Sequence, residues 1–211
     1  MTLLCDCPLG AALPDVPIND CIEDFGQLQK IVLQRIYSSG TTKNTIADPT
    51  LEASWTALLA ASNGTKVVQS PYLANPDSEP GAARTYGGGN ATPGGVEITI
   101  GREPTSVTAE ILRSPQDTIK ALKELSCENI GVWLIDEHGR IGCLADDVDT
   151  PTTYYPIPVQ NFFVGDKALK GLEEPDRNAI SWKFFPNWSD YFKILTPSDF
   201  DALTDLVTPA S

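Results

Sequence analysis

The apolar residues of this chain fall into short β-branched runs divided by Gly- and Pro-rich turns, with two stretches of helical spacing between them. "QLQKIVLQRIY", Gln27 to Tyr37, predicts a first strand because its centre is continuous and β-branched. Asp48 and Pro49 read as an N-cap and first helical residue. Leu51, Trp55, Leu58 and Leu59 then share one helical face until Asn63-Gly64, so a short helix is predicted over about 49–61. "TKVVQ" predicts a strand, and "VEITI" and "SVTAEIL", divided by "GREPT", predict a hairpin. Ser114 reads as a cap, with Pro115 at the first helical position, Asp117 two residues on, and Ile119, Leu122 and Leu125 along one side. That pattern predicts an amphipathic helix over about 115–126. "IGVWLI" and "RIGCLA" flank "DEHG" as a second hairpin. "YYPIPVQNFFV", "AISWKFF" and "YFKIL" predict three more strands, and Ser198 opens a short terminal helix carrying Phe200, Leu203 and Leu206. The sum is an α+β domain dominated by antiparallel sheet, with one flanking amphipathic helix and a second short helix.

Two segments lie outside this periodicity. Residues 1–24 are rich in Pro and Asp and read as an extended N-terminal arm, which leaves 25–211 as a single β-rich domain. Residues 65–95 form a long loop with one strand near its start, and a loop of that length inside a compact domain is usually functional. Its last part, "TYGGGNATPGG", holds five glycines between Gly87 and Gly95.

A glycine-rich stretch suggests a phosphate cradle, and the spacing argues against one. A P-loop frame on Gly89 and Gly94 puts Gly95 and Val96 where the lysine and the Ser/Thr hydroxyl belong. A dinucleotide frame on Gly87 and Gly89 needs a third glycine at Thr92, and a strand follows in place of a helix. The better reading is a flexible loop that feeds a strand and packs against a neighbour.

Charge narrows the function further. The net charge is −13, and acids outnumber bases about two to one in both halves of the chain. A surface that grips nucleic acid needs clustered Lys and Arg, so this composition argues against it and remains compatible with one that repels it. No window is apolar enough for a membrane span, and "MTLLCDCPLG" reads as neither a secretory signal nor a lipoprotein leader. The triplets at Asn63, Asn90 and Asn187 therefore carry little weight as glycosylation sites. Five irregularly spaced cysteines do not suggest a disulfide framework. Cys5, Cys7 and Cys21 have no usual zinc spacing and read as reduced thiols on the arm. The one histidine, His138, sits at a predicted hairpin tip, and GxSxG, HExxH and CxxC are all missing. Asp146, Asp147 and Asp149 read as a solvated loop rather than a cation site, since the glycine-turned EF-hand spacing is lacking. Trp182, Phe184, Trp188, Tyr191 and Phe192 read as sheet core. No catalytic residue, metal or cofactor is expected.

The order of "CPLGAALPDVP" with "CIEDFGQLQKIVLQRI", then "SWTALLAASNGTKVV", "TYGGGNATPGG", and "SPQDTIKALKEL" followed by "NIGVWLIDEHGRIG", resembles virion structural proteins of tailed phages that infect Bacteroidetes hosts. The likeness spans most of the chain and is carried by element order. Within virions, that order is similar to a tail tube protein. The resemblance implies a β-sandwich or barrel with a flanking helix and a long loop, six copies per ring, and rings stacked into a conduit for DNA ejection. Its partners would be further copies of itself, other virion proteins, and genome DNA passing through unbound, with no membrane. It would be assembled in the host cytoplasm and act in the virion.

Under that reading the 65–95 loop and the arm cross to the next subunit. Tyr86, Gly87, Gly88, Gly89, Asn90, Gly94 and Gly95 are the loop candidates, and Cys5, Cys7 and Cys21 mark the arm. A head decoration or head-tail connector protein is the alternative within virions. A metal-dependent enzyme using the 146–149 acids, or a monomeric domain whose glycine loop holds a small ligand, are the alternatives outside them.

Overall fold

A β-branched run that is buried on every side marks the centre of the fold. In the computed structural model, which describes residues 24–207 together with Val16, all seven residues of "IGVWLID" are buried. This strand, Ile130–Asp136, has the strand Leu28–Arg35 along one edge. In chain order the strands are β1 (Leu28–Arg35), β2 (Tyr37–Ser39), β3 (Thr42–Lys43), β4 (Val67–Gln69), β5 (Ala74–Glu79), β6 (Ala83–Gly87) and β7 (Glu97–Arg102). They continue with β8 (Thr105–Leu112), β9 (Ile130–Asp136), β10 (Ile141–Ala145), β11 (Tyr154–Tyr155), β12 (Ile157–Ala168), β13 (Arg177–Phe184) and β14 (Phe192–Leu195). The helices are α1 (Glu52–Leu59) and α2 (Gln116–Glu124), with short 3-10 turns besides.

The chain divides into two units, 25–81 with 103–211 and 82–102 with 1–24. The larger unit is an α+β fold of mainly antiparallel sheet in a sandwich arrangement, not closed into a barrel. One layer runs β4-β1-β9-β10-β14, and the other runs β12-β13-β8-β5. β12 joins the two. Ile157 and Pro158 pair with Val132 and Gly131 of β9, and from Val159 the strand pairs with β13. Strands that switch sheets make the corners of such packings. This corner needs Gly131, because a Cβ there would lie 2.8 Å from the Pro156 ring.

Two apolar clusters result. Between the layers lie Ile31, Val107, Val132, Ile157, Ile180 and Trp182, joined by Ile119 and Leu122 of α2. Beyond the first layer, Val32, Trp133, Ile135 and Ile141 pack under Trp55 and Leu59 of α1 with Ala202 and Leu206. Both faces of the first layer are therefore buried, which explains why β1 and β9 read as continuous apolar runs. Trp55 meets Trp133 edge to face at 5.1 Å.

Several expectations change. The predicted β7–β8 hairpin does not form. β8 buries Val107, Ala109 and Ile111 and has both edges taken, by β13 and β5, so β7 pairs with β6 instead. The 65–95 segment is not one loop, since it holds β5 and β6 as well as β4. Asp48 accepts hydrogen bonds from the amide and hydroxyl of Thr50 as a local turn, and α1 starts later, at Glu52. The Glu52 N–H donates to Asp199 Oδ1 at 2.9 Å, a cap supplied from 147 residues away. Ser114 does not cap α2. It is buried, and Pro115 stands at the N-cap.

The predicted terminal helix after Ser198 is a series of turns. The Ser198 amide and hydroxyl both donate to the Thr50 carbonyl, Asp201 Oδ1 accepts from the Leu203 amide, and Asp205 Oδ2 accepts from the Asp201 amide. Short polar side chains here outcompete the helical ladder.

Candidate functional site

The smaller unit carries the predicted loop residues. β6 and β7 form a two-stranded hairpin in which Tyr86 lies opposite Ile98 and Thr85 opposite Thr99. Tyr86 and Ile98 therefore share one face, with Arg84 beside them, and Thr85 and Thr99 share the other. Ile100 is the extra residue of a β-bulge between the Arg84 and Thr85 pairings. Tyr86 is 61% exposed, Val96 65%, Ile98 42% and Ile100 57%.

The tip is folded. Gly87, Gly88 and Gly89 all have positive φ, and Gly89–Ala91 and Pro93–Gly95 form two single 3-10 turns. Thr92 lies buried between the turns. Its Oγ1 accepts from the Gly88 amide at 3.1 Å and donates to the Val96 carbonyl at 2.7 Å. A Cβ on Gly87 would meet Thr92 Cγ2 at 2.1 Å, so glycine is required there by conformation and by space. All seven predicted loop residues come together in this one hairpin. Ile98 and Ile100, two of its exposed apolar side chains, were assigned by sequence to the wrong partner. The matched alternation of "RTY" and "ITI" across the glycine tip was the available signal.

Cys5, Cys7 and Cys21 lie outside the described residues. His138 stands at the β9–β10 turn as expected, with its side chain 65% exposed. Among the described residues no three His, Cys, Asp or Glu side chains gather as a metal-binding group.

The Asp146 and Asp147 carboxylates are occupied by their own loop. Asp146 accepts from the hydroxyls and amides of both Thr152 and Thr153. These bonds, the Thr152 hydroxyl foremost, hold its carboxyl well below the usual carboxylate range. The amides of Thr150 and Asp149 lower Asp147 in the same way. A depressed carboxylate contributes stability that is complete above the unfolded value of ~3.9 and is lost as pH falls through the folded one. The Thr152 and Thr153 amides should therefore keep their exchange protection at pH 4 and lose it only under stronger acid. Loss of protection between pH 7 and pH 5, followed by NMR hydrogen exchange, would contradict this.

Burial pushes the Cys143 thiol up to about 12, whereas Cys127 is exposed. Native-state alkylation at neutral pH should label Cys127 and spare Cys143 until the chain unfolds, as read by peptide mass spectrometry.

Of the five aromatics expected in the sheet core, Tyr191 is exposed. Trp182 and Phe184 are buried, but together with Trp188, Phe192 and Phe25 they line a cavity of about 360 Å³ in the larger unit.

No protein-family model matches the chain, and no curated protein matches it. Among the described residues, no helix is long and apolar enough to cross a membrane.

Proposed function

We propose that this chain is a self-assembling structural subunit, read as the tail tube protein of a tailed phage. Six copies would form a ring, and stacked rings would form a conduit for DNA. The observation that carries the reading is the β6–β7 hairpin. A two-stranded ribbon is marginal in water, and this one leaves Tyr86, Val96, Ile98 and Ile100 uncovered. A second copy of the chain would cover the exposed apolar side chains and extend the two-stranded sheet, because a strand edge is a ready template for another strand. Five glycines and a buried threonine shape the tip, the Thr92 hydroxyl is engaged by the tip's own backbone, and Gly95 and Val96 stand where a P-loop has its lysine and Ser/Thr. The net charge of −13 suits a lumen that passes DNA without holding it.

Sedimentation velocity over a rising concentration series tests this. Open-ended growth into large species supports the stacking subunit. A closed trimer or one stable ring favours the head decoration or connector reading, and a monomer at every concentration contradicts self-assembly.

A further inference from the structure

The larger unit carries an open cleft of about 660 Å³, lined by four aromatic side chains that come from separate turns of the chain. Tyr37 and Lys43 are partners across the short β2–β3 ribbon, so they lie on the same face of it. Tyr155 comes from β11, and the Lys43 ammonium lies over its ring, 5.7 Å from the centroid. Phe185 follows β13, and Tyr191 ends the 3-10 turn Trp188–Tyr191. Tyr37, Phe185 and Tyr191 are exposed.

The polar groups of the cleft restrict what could fill it. No hydrogen bond among the described residues engages the hydroxyls of Tyr37, Tyr155 and Tyr191, the Lys43 ammonium or the Asn129 side-chain amide. Lys43 and Asp146 are the two charged side chains that line the cleft, and Asp146 is already held by Thr152 and Thr153. An occupant must therefore be neutral, give apolar faces to the rings, and offer both donors and acceptors, because a polar group buried without a partner loses its hydration for nothing.

Most ligand classes fail one of these requirements. A lipid chain or an apolar protein face leaves the phenols and the amide unpaired. A phosphate-rich ligand needs clustered cations, and one lysine stands here. A polyproline segment supplies acceptors but has no N–H to give. A pyranose ring with equatorial hydroxyls meets all of them. Its axial C–H bonds make two apolar faces, and each hydroxyl on its edge both donates and accepts. Tyrosine, with an apolar body and a polar tip, is suited to both surfaces of such a ring. The volume also falls within the ~300–1,000 Å³ of small-molecule sites.

We propose that this cleft binds a neutral oligosaccharide of equatorial pyranose units, of the β-1,4-glucan type. Phe185 and Tyr191 pack on the sugar faces, and Tyr37, Lys43 and Asn129 bond to the hydroxyl edge. The site lies wholly in the larger unit and does not rest on the self-assembly reading.

Titration of the full chain with cellohexaose in a calorimeter tests this, and it reads binding whether or not the chain assembles. Saturable heat is expected. Tyr191→Ala and Tyr37→Ala should each weaken binding about tenfold or more. Both side chains are exposed and outside the two apolar clusters, so thermal melts should show both variants folded. No saturable heat up to about 10 mM sugar, a concentration at which even a weak site would fill, overturns the proposal. Unchanged affinity in the two variants overturns it too, since the sugar would then bind elsewhere. A polyproline peptide that binds the native chain where cellohexaose does not, and loses affinity in the same variants, overturns it in favour of a peptide groove.

Discussion

Replacing Ile98 and Ile100 by lysine is expected to abolish the proposed self-association and to leave the domain folded. Both side chains are exposed in the single chain, and neither belongs to an apolar cluster. Surface substitutions of this kind change stability by only about 0.5 kcal/mol. In an assembled state that buries the exposed half of each, an isoleucine contributes roughly 0.7–1.5 kcal/mol, about half the value for a fully exposed side chain. Losing both weakens each intersubunit contact by roughly 10- to 10²-fold, before the larger cost of burying two ammonium groups is counted. Light scattering reads the loss of large species, and a thermal melt reads the intact domain. A variant that still assembles removes the hairpin from the interface. A variant that unfolds shows that the hairpin serves the fold instead.

Asp136→Ala has the largest expected effect on stability. The carboxylate is fully buried at the end of β9. Oδ1 accepts from the His138 and Arg140 amides at 2.9 and 2.8 Å. Oδ2 accepts from Arg140 Nε at 2.7 Å and from the Gly26 amide at 3.2 Å, and the second Arg140 nitrogen lies at 2.6 Å. One side chain thus fixes the β9–β10 turn and ties the start of the domain to it. Truncation leaves the Arg140 charge and three amides without their acceptor. Removing one partner of a buried ion pair costs about 3–5 kcal/mol, a large share of the ~5–15 kcal/mol that holds a typical domain together. At about 2–4 °C per kcal/mol for a domain of this size, the melting midpoint drops by roughly 6–20 °C. Asp136→Asn keeps the volume and one acceptor, so it should fall between the two. A drop of under about 1 kcal/mol for Asp136→Ala, measured by urea unfolding, would show that water or a local shift replaces the carboxylate.

How legible each element was depended on where its signal lay. The β9–β10 hairpin was plain because two apolar runs flank "DEHG", and α2 because Ile119 and Leu122 repeat at helical spacing and are both buried. β5 was hidden. "ANPDSE" is polar and contains Pro76, a composition that suits an edge strand and leaves no apolar alternation to read. The start of α1 was misplaced because Asp48 satisfies Thr50 locally, whereas the helix takes its cap from Asp199, a pairing that only the tertiary fold creates. The candidate site was half legible. The glycines marked the tip, but the partner of "VEITI" is fixed by Thr92 folding the tip and by β8 having no free edge. The aromatic cavity was read as core because its rings come from segments as distant as Phe25 and Phe192, which sequence spacing does not connect.

The most direct test of the central claim is negative-stain electron microscopy of the purified chain at high concentration, beside the Ile98→Lys, Ile100→Lys variant. The account predicts tubes or stacked rings of uniform width from the native chain and none from the variant. Dispersed single particles from both, or tubes from both, would contradict it.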